Sequence, residues 1–205
     1  SKDINNSNVI VGDGFNDSTS TKAFAFFPTT GAVGVAIDGV FDDWSGHTAY
    51  PDASDDGLLV NWDKIWADFE GERLAFSYSN IGDIDEAQLY LWNIYLDTDK
   101  QTSTGYGFNL LGADYLLQGK SLYQYTGTGQ DWSWTYIKEV DYIVSGARAE
   151  LSIEKSVLGL ASGANSYSAL FYGTTPDGGN LDYLLVDISG GEAGVVMEEV
   201  IAPAP

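Results

Sequence analysis

The sequence predicts an all-β protein, an antiparallel, jelly-roll-like β-sandwich with one short helix. From Val33 onward the apolar runs are short, alternate with a period of two, and are separated by Gly, Asn and Asp. That is the pattern of half-buried strands joined by tight turns. No long stretch carries the i, i+3, i+4 apolar spacing of an amphipathic helix, which excludes parallel sheets covered by helices. The chain has 205 residues, 44% of them hydrophobic and 14% aromatic. One sandwich of this size buries roughly 70% of its unfolded surface, and the composition is too apolar for a disordered acidic tail.

Residues 1–22 are rich in Asn, Asp, Ser and Thr around a short apolar patch, Val9-Ile10-Val11. A second apolar run, Ala23 to Phe27, stops at Pro28, so residues 1–33 form an N-terminal extension or edge strands. The sandwich occupies residues 34–200. Ile65 to Phe69 and Arg73 to Ser79 flank Glu70-Gly71-Glu72 as a hairpin. Leu89 to Leu96 forms a long aromatic strand. Tyr115 to Leu117 and Ser121 to Tyr125 flank the turn Gln118-Gly119-Lys120, and Trp132 to Ile137 follows a turn over residues 126–131. In Ala149 to Ile153, the residues Ala149, Leu151 and Ile153 point inward and Glu150, Ser152 and Glu154 outward. Lys155 to Leu160 is the short helix. Ser166 to Gly173 and Leu181 to Ile188 complete the sheets. The ending Ala202-Pro203-Ala204-Pro205 reads as the start of an interdomain linker over 201–205, the mark of a piece of a longer exported protein.

Charge narrows the partners. Nine Lys and Arg against 30 Asp and Glu give a net charge of −21. Such a surface repels phosphate backbones and anionic lipid, which disfavours nucleic acid and membrane as partners. Zero cysteines exclude disulfides, thiol catalysis and Cys-ligated metals. No apolar run reaches the ~20 residues of a membrane helix.

The segment Leu96-Asp97-Thr98-Asp99-Lys100-Gln101-Thr102-Ser103-Thr104-Gly105-Tyr106 carries the strongest chemical signal. Asp97 and Asp99 project to one side at a strand end, and like charges that close call for a cation between them. Calcium takes six to eight oxygens from carboxylates, carbonyls and water. The loop offers the carbonyls, and Asp114 offers a third carboxylate. An EF-hand is excluded, because Thr102 stands at its glycine position and Phe108 at its glutamate position. In Ile37-Asp38-Gly39-Val40-Phe41-Asp42-Asp43-Trp44, the Asp-Gly pair makes a turn and Trp44 plugs one end of the sandwich. Asp42 and Asp43 either cap the following turn or bind a metal, and the structural role is the expected one. Asp52, Asp55 and Asp56 form a weaker acidic cluster.

The aromatic pattern is the third signal. Tyr123 and Tyr125 share one strand face, as do Trp132, Trp134 and Tyr136. Symmetric pairing sets Tyr125 opposite Trp132 and Tyr123 opposite Trp134, an aromatic surface about 13 Å long on the strand. Either a sugar ring stacks there or the face is hydrophobic core, since Gln124, Ser133 and Thr135 make the opposite face polar. Of the six tryptophans, Trp66 and Trp92 are expected in the core. Trp62, between Asn61 and Asp63, is expected to be exposed as a second stacking residue.

Three of these segments together resemble the fold of family 9 carbohydrate-binding modules, a β-sandwich shared with DOMON-type domains. They are Ile37-Asp38-Gly39 with Asp43-Trp44, Leu96-Asp97-Thr98-Asp99 with Thr104-Gly105-Tyr106, and Gly112-Ala113-Asp114-Tyr115. The segment Ile153 to Leu160 is similar to the strand-to-helix turn of those modules. The resemblance spans about Val35 to Ile188. It implies a structural calcium held by Asp97, Asp99 and Asp114, and attachment to a secreted polysaccharide-degrading enzyme.

The expected function is therefore that of a secreted, non-catalytic carbohydrate-binding module, stabilised by calcium and joined to an appended catalytic domain. Its charge favours a neutral polysaccharide or oligosaccharide, and Trp132, Trp134, Tyr123, Tyr125 and Trp62 are its expected stacking residues. A structural or adhesive surface domain is the alternative, followed by a glycan-active enzyme. For a lyase the chain offers little, since His47 is its sole histidine and Arg73 and Arg148 its only arginines. Haem binding of the DOMON kind would have to use Met197 and His47.

Overall fold

The computed structural model describes residues 3–4, 10–14, 22–26, 34–52, 59–68, 71–108, 111–161, 164, 167–177, 182–189 and 192–197. The chain divides into two compact units, Ser1–Gly34 and Val35–Pro205. The first is a three-stranded antiparallel sheet of β1 (Asp3–Ile4), β2 (Ile10–Gly14) and β3 (Lys22–Phe26), in that order. Several residues named from the sequence lie outside the described ones. They are Val9, Phe27, Pro28, Val33, Asp55, Asp56, Phe69, Glu70, Ser166, Leu181 and the 201–205 end.

In the second unit the period-two segments become β4 (Ala49–Pro51), β5 (Trp62–Asp68), β6 (Arg73–Asn80) and β7 (Trp92–Asp97). They continue as β8 (Tyr106–Phe108), β9 (Leu111–Ala113), β10 (Tyr115–Gln118), β11 (Ser121–Tyr125) and β12 (Trp134–Glu139). The last are β13 (Asp141–Ser145), β14 (Arg148–Glu154), β15 (Tyr167–Gly173), β16 (Asp182–Ser189) and β17 (Glu192–Met197). One sheet runs β12-β11-β10-β7-β15-β16-β17, the other β13-β14-β6-β5-β4, and β8 and β9 form a separate hairpin. The strand pairs are antiparallel. The fold is the expected all-β sandwich. Among the described residues no helix is long and apolar enough to cross a membrane.

The two large sheets face each other over one core. Trp62, Ile65, Phe76 and Tyr78 from one sheet meet Ile94, Leu96, Leu117 and Phe171 from the other. The Phe171 ring sits edge-on to Trp62 at 5.6 Å and to Phe76 at 5.5 Å. Alternation along β7 sends Tyr95 to the opposite face, where it joins a second cluster with Leu111, Ala113, Leu116 and Leu170. The β8–β9 hairpin covers that face in part, so β7 is buried at every position. The site described below grows from this outer cluster.

Several expectations are corrected. Trp62 is not exposed but fully buried, its N–H donating to Asp182 Oδ2 at 2.6 Å and its indole N–H to Asp182 O at 3.2 Å. The cause is a register shift between Trp62 and Lys64, which puts a bulge at Asp63. The extra residue lets Trp62 and Ile65, three apart, face the same side. The strand expected from Leu89 starts at Trp92. Glu86–Leu91 is instead a 3-10 helix, capped by the Asp85 carboxylate accepting from Ala87 N at 2.9 Å. No helix forms over Lys155 to Leu160. Consecutive turns close there on Lys155 O, and Gly159, at φ +67°, ends them in the left-handed region.

Glu150 and Ser152, expected to face water, are buried at 0% and 3% exposure. The residues around Trp44 cover Glu150. Phe41–Gly46 forms a 3-10 helix, and Glu150 accepts from Asp38 N (2.7 Å), Gly39 N (2.6 Å) and Trp44 Nε1 (2.9 Å). Trp44 therefore packs over the outer face of the five-stranded sheet rather than plugging an end. Trp66 is on that outer face too, half-buried rather than in the core, with the Arg148 guanidinium 4.0 Å above its ring. Asp43 accepts from Ala36 N at 2.7 Å, a structural role as expected. Trp92 is in the core.

Candidate functional site

At the end of β7 the chain leaves the sheet through residues 98–105 and returns in the β8–β9 hairpin. Asp97 is the last residue of β7 and is 2% exposed. Its Oδ2 accepts from Gly112 N at 3.3 Å, while its Oδ1 is buried and has no hydrogen-bond partner. Asp114 follows β9, its N–H tied to Leu96 O at 2.8 Å, and its Oδ2 accepts from Thr98 N (2.9 Å) and Thr98 Oγ1 (2.6 Å). Exposed Asp99 accepts from Gln101 N at 2.9 Å and from Thr104 Oγ1 at 3.0 Å.

One oxygen from each of Asp97, Asp99 and Asp114 lies within 4.8 Å of the others. Burial pushes the Asp97 carboxyl above its ordinary pKa, more strongly than the Gly112 and Lys100 N–H groups lower it, and the Asp114 charge adds to the rise. A buried anionic oxygen without a donor, facing two more carboxylates, has the chemistry of a hard-cation site.

The loop reaches this position because two residues lack side chains. A Cβ on Gly112 would lie 2.1 Å from Thr104 O and 2.3 Å from Gln101 O, and one on Gly105, at φ +69°, 2.6 Å from Ala113 O. Two loop carbonyls thus crowd the residue whose N–H holds Asp97. Gly112→Ala is expected to displace the loop at a cost of about 1–3 kcal/mol. Urea unfolding of that variant measures the effect.

Beside Asp114 lies an open depression of about 350 Å³. Ser103 and Gly105 of the loop line it, with Gln124 and Tyr125 of β11 and the turn Gly127-Thr128-Gly129. That turn is folded back by Gly107 N donating to Gly129 O at 2.9 Å and by Tyr125 OH donating to Gly129 O at 3.2 Å. The polar groups beside one tyrosine suit a ligand rich in hydroxyls.

Next to the depression stand the outer-face aromatics. Tyr125 contacts Tyr106 (5.7 Å) and Trp134 (5.1 Å), and Trp132 contacts Tyr106 (5.5 Å) and Trp134 (5.8 Å) between ring centroids. Trp132 is 61% exposed and Tyr136 54%, whereas Tyr123, Tyr125 and Trp134 are half-buried. The pairing expected for these strands is corrected by two residues. Tyr125 is opposite Trp134 and Tyr123 opposite Tyr136, which leaves Trp132 beyond the ladder at the rim. The expected strand start at Trp132 becomes Trp134, because residues 126–133 are spent on the long turn.

The structure brings Trp132, Trp134 and Tyr125 together beside the three aspartates and sets Tyr123 further along the same face against Tyr136. Trp62 belongs to the inner core. Sequence reasoning missed Tyr106, which bridges Tyr125 and Trp132, and the Gly127–Gly129 turn. The Gly-Thr-Gly run beside an aromatic strand was the available signal for a close backbone approach. His47, with its Nε2 3.8 Å from Asp68 Oδ2, packs on Trp44. No family model matches the chain, and neither does any curated protein.

Proposed function

We propose that the unit from Val35 onward is a non-catalytic carbohydrate-binding module that takes a neutral glycan chain and is stabilised by calcium. The observation that carries this reading is the exposed Trp132 at the end of a ring cluster whose Tyr125 also lines a polar depression. Apolar sugar faces stack on such rings while hydroxyls meet Gln124, Ser103 and Thr128. The sequence resemblance to family 9 modules supports the same reading, and with it a secreted location and an appended catalytic domain. A charge of −21 favours neutral polymers over uronates and sulfated glycans.

Ring geometry narrows the ligand further. The Trp132 and Trp134 planes are inclined at 69°, and those of Tyr106 and Trp132 at 86°. A flat crystalline polymer needs coplanar rings, so the arrangement suits a single soluble chain. Hydrolysis is disfavoured on the donor set. Among the described residues the depression is lined by one carboxylate, Asp114, whereas glycosidases use two.

Native gels cast with xylan, mixed-linkage β-glucan, galactomannan or pectate test the proposal. One of the three neutral polymers should retard the protein, and pectate should not. Trp132→Ala should weaken that retardation about tenfold, equivalent to ~1.4 kcal/mol, with an unchanged melting temperature. Undiminished retardation of Trp132→Ala and Tyr125→Ala would remove the named surface. Retardation by none of the polymers would leave a structural or adhesive role as the better reading.

A further inference from the structure

Resting on the glycan reading, we propose that calcium and glycan share one coupled site, in which the cation fixes a wall of the depression and so tightens glycan binding. Asp114 belongs to both features, since it contributes an oxygen to the aspartate cluster and also lines the depression. Ser103 and Gly105 line it as well, and both lie in the loop that Asp99 organises through Gln101 N and Thr104 Oγ1. The cluster has an observation of its own that calls for a ligand. Asp97, 2% exposed, keeps a buried oxygen with no partner among these carboxylates.

The physical coupling follows from where the flexibility lies. Asp97 is set in β7, paired on one side with β10 and on the other with β15, so it does not yield. Asp114 is held as well, its N–H on Leu96 O and its C=O accepting from Tyr125 N, whereas Asp99 stands in the loop outside regular strands. Three anions without a cation repel one another, and the strain moves the loop over 99–105 away from Asp97 and Asp114. A divalent cation draws Asp99 back to the other two, which places Ser103 and Gly105 along the depression beside Asp114. It also compensates the Asp114 charge where sugar hydroxyls have to shed water. A ligand held better by the assembled wall must in turn raise calcium affinity by the same factor.

The test compares native gels of the same chain cast with calcium chloride or with a chelator, using xylan, mixed-linkage β-glucan and galactomannan. Glycan affinity is expected to fall about tenfold or more in chelator and to recover when calcium is restored. Titration of calcium chloride should show calcium binding tightened by the same factor when the retarding polymer is present. Asp99→Asn changes a carboxylate outside the depression. It should need more calcium for half-maximal retardation and reach wild-type retardation when calcium is in excess. Equal retardation with calcium and with chelator would overturn the coupling and leave the glycan reading standing. Retardation by no polymer in either gel would overturn both. A chelator effect that coincides with loss of the far-ultraviolet dichroism spectrum would also overturn the coupling, by reducing it to a requirement for folding.

Discussion

Calcium added to chelator-treated protein should raise its melting temperature by about 5–10 °C. A ligand at a hundredfold excess over its Kd stabilises the state that binds it by about 2.7 kcal/mol. Each kcal/mol moves Tm by about 2–4 °C in a chain of this size. The magnitude depends on Asp97, whose buried oxygen lacks a donor and whose neighbours Asp99 and Asp114 are anionic. Asp97→Asn removes the buried charge and a metal ligand together, so its effect should change sign with conditions. In chelator the variant should melt above the wild type, because an uncompensated buried charge is lost. In calcium it should melt below, because the wild type alone gains the bound ion. Scanning fluorimetry of both proteins in both buffers measures this crossover. A wild-type Tm indifferent to calcium would remove the cation from the proposal.

Glu150→Ala should destabilise the fold by about 3–5 kcal/mol, the range for removing one partner of a buried charged network. The Glu150 carboxylate is fully buried and accepts from Asp38 N, Gly39 N and Trp44 Nε1. Truncation leaves three donors unsatisfied beneath the Phe41–Gly46 helix, each costing about 1–3 kcal/mol before relaxation. Arg148 feels the change as well. Burial lowers its pKa, and the Glu150 and Asp43 charges work against that loss. Its guanidinium, stacked over Phe41 and Trp66, would then keep Asp43 as the remaining compensating charge. Glu150→Gln retains one acceptor oxygen and the shape, so it should lose less than Glu150→Ala. Urea denaturation of the two variants tests the order. A cost below about 1 kcal/mol for Glu150→Ala would mean that Trp44 and its turn hold without the carboxylate.

The candidate site was legible in part. Asp97, Asp99 and Asp114 were identifiable from spacing and ligand type, and the structure sets their oxygens within 4.8 Å of one another. The shared strand faces of Tyr123 with Tyr125 and of Trp134 with Tyr136 were also legible, since alternation is a property of the strand itself. The position of Trp132 at the rim was not. It depends on how many residues the turn after β11 consumes, and hydrogen bonds from Gly107 N and Tyr125 OH to Gly129 O decide that. Tyr106 comes from a hairpin distant in sequence, so no local pattern connects it to Tyr125.

Local alternation, turn residues and the lack of helical periodicity were sufficient to determine the all-β sandwich and most of its strand positions. Period-two amphipathicity is a short-range property, written within each segment. Tertiary structure alone decided which faces are closed to water. Glu150 lies on the polar side of a correctly located strand, yet the Trp44 turn more than a hundred residues earlier covers it. Trp62 has polar neighbours on both sides, yet the bulge at Asp63 turns it into the core. Burial depends on what arrives from elsewhere in the chain, and register depends on the partner strand. Neither is encoded in the window of residues around the position concerned.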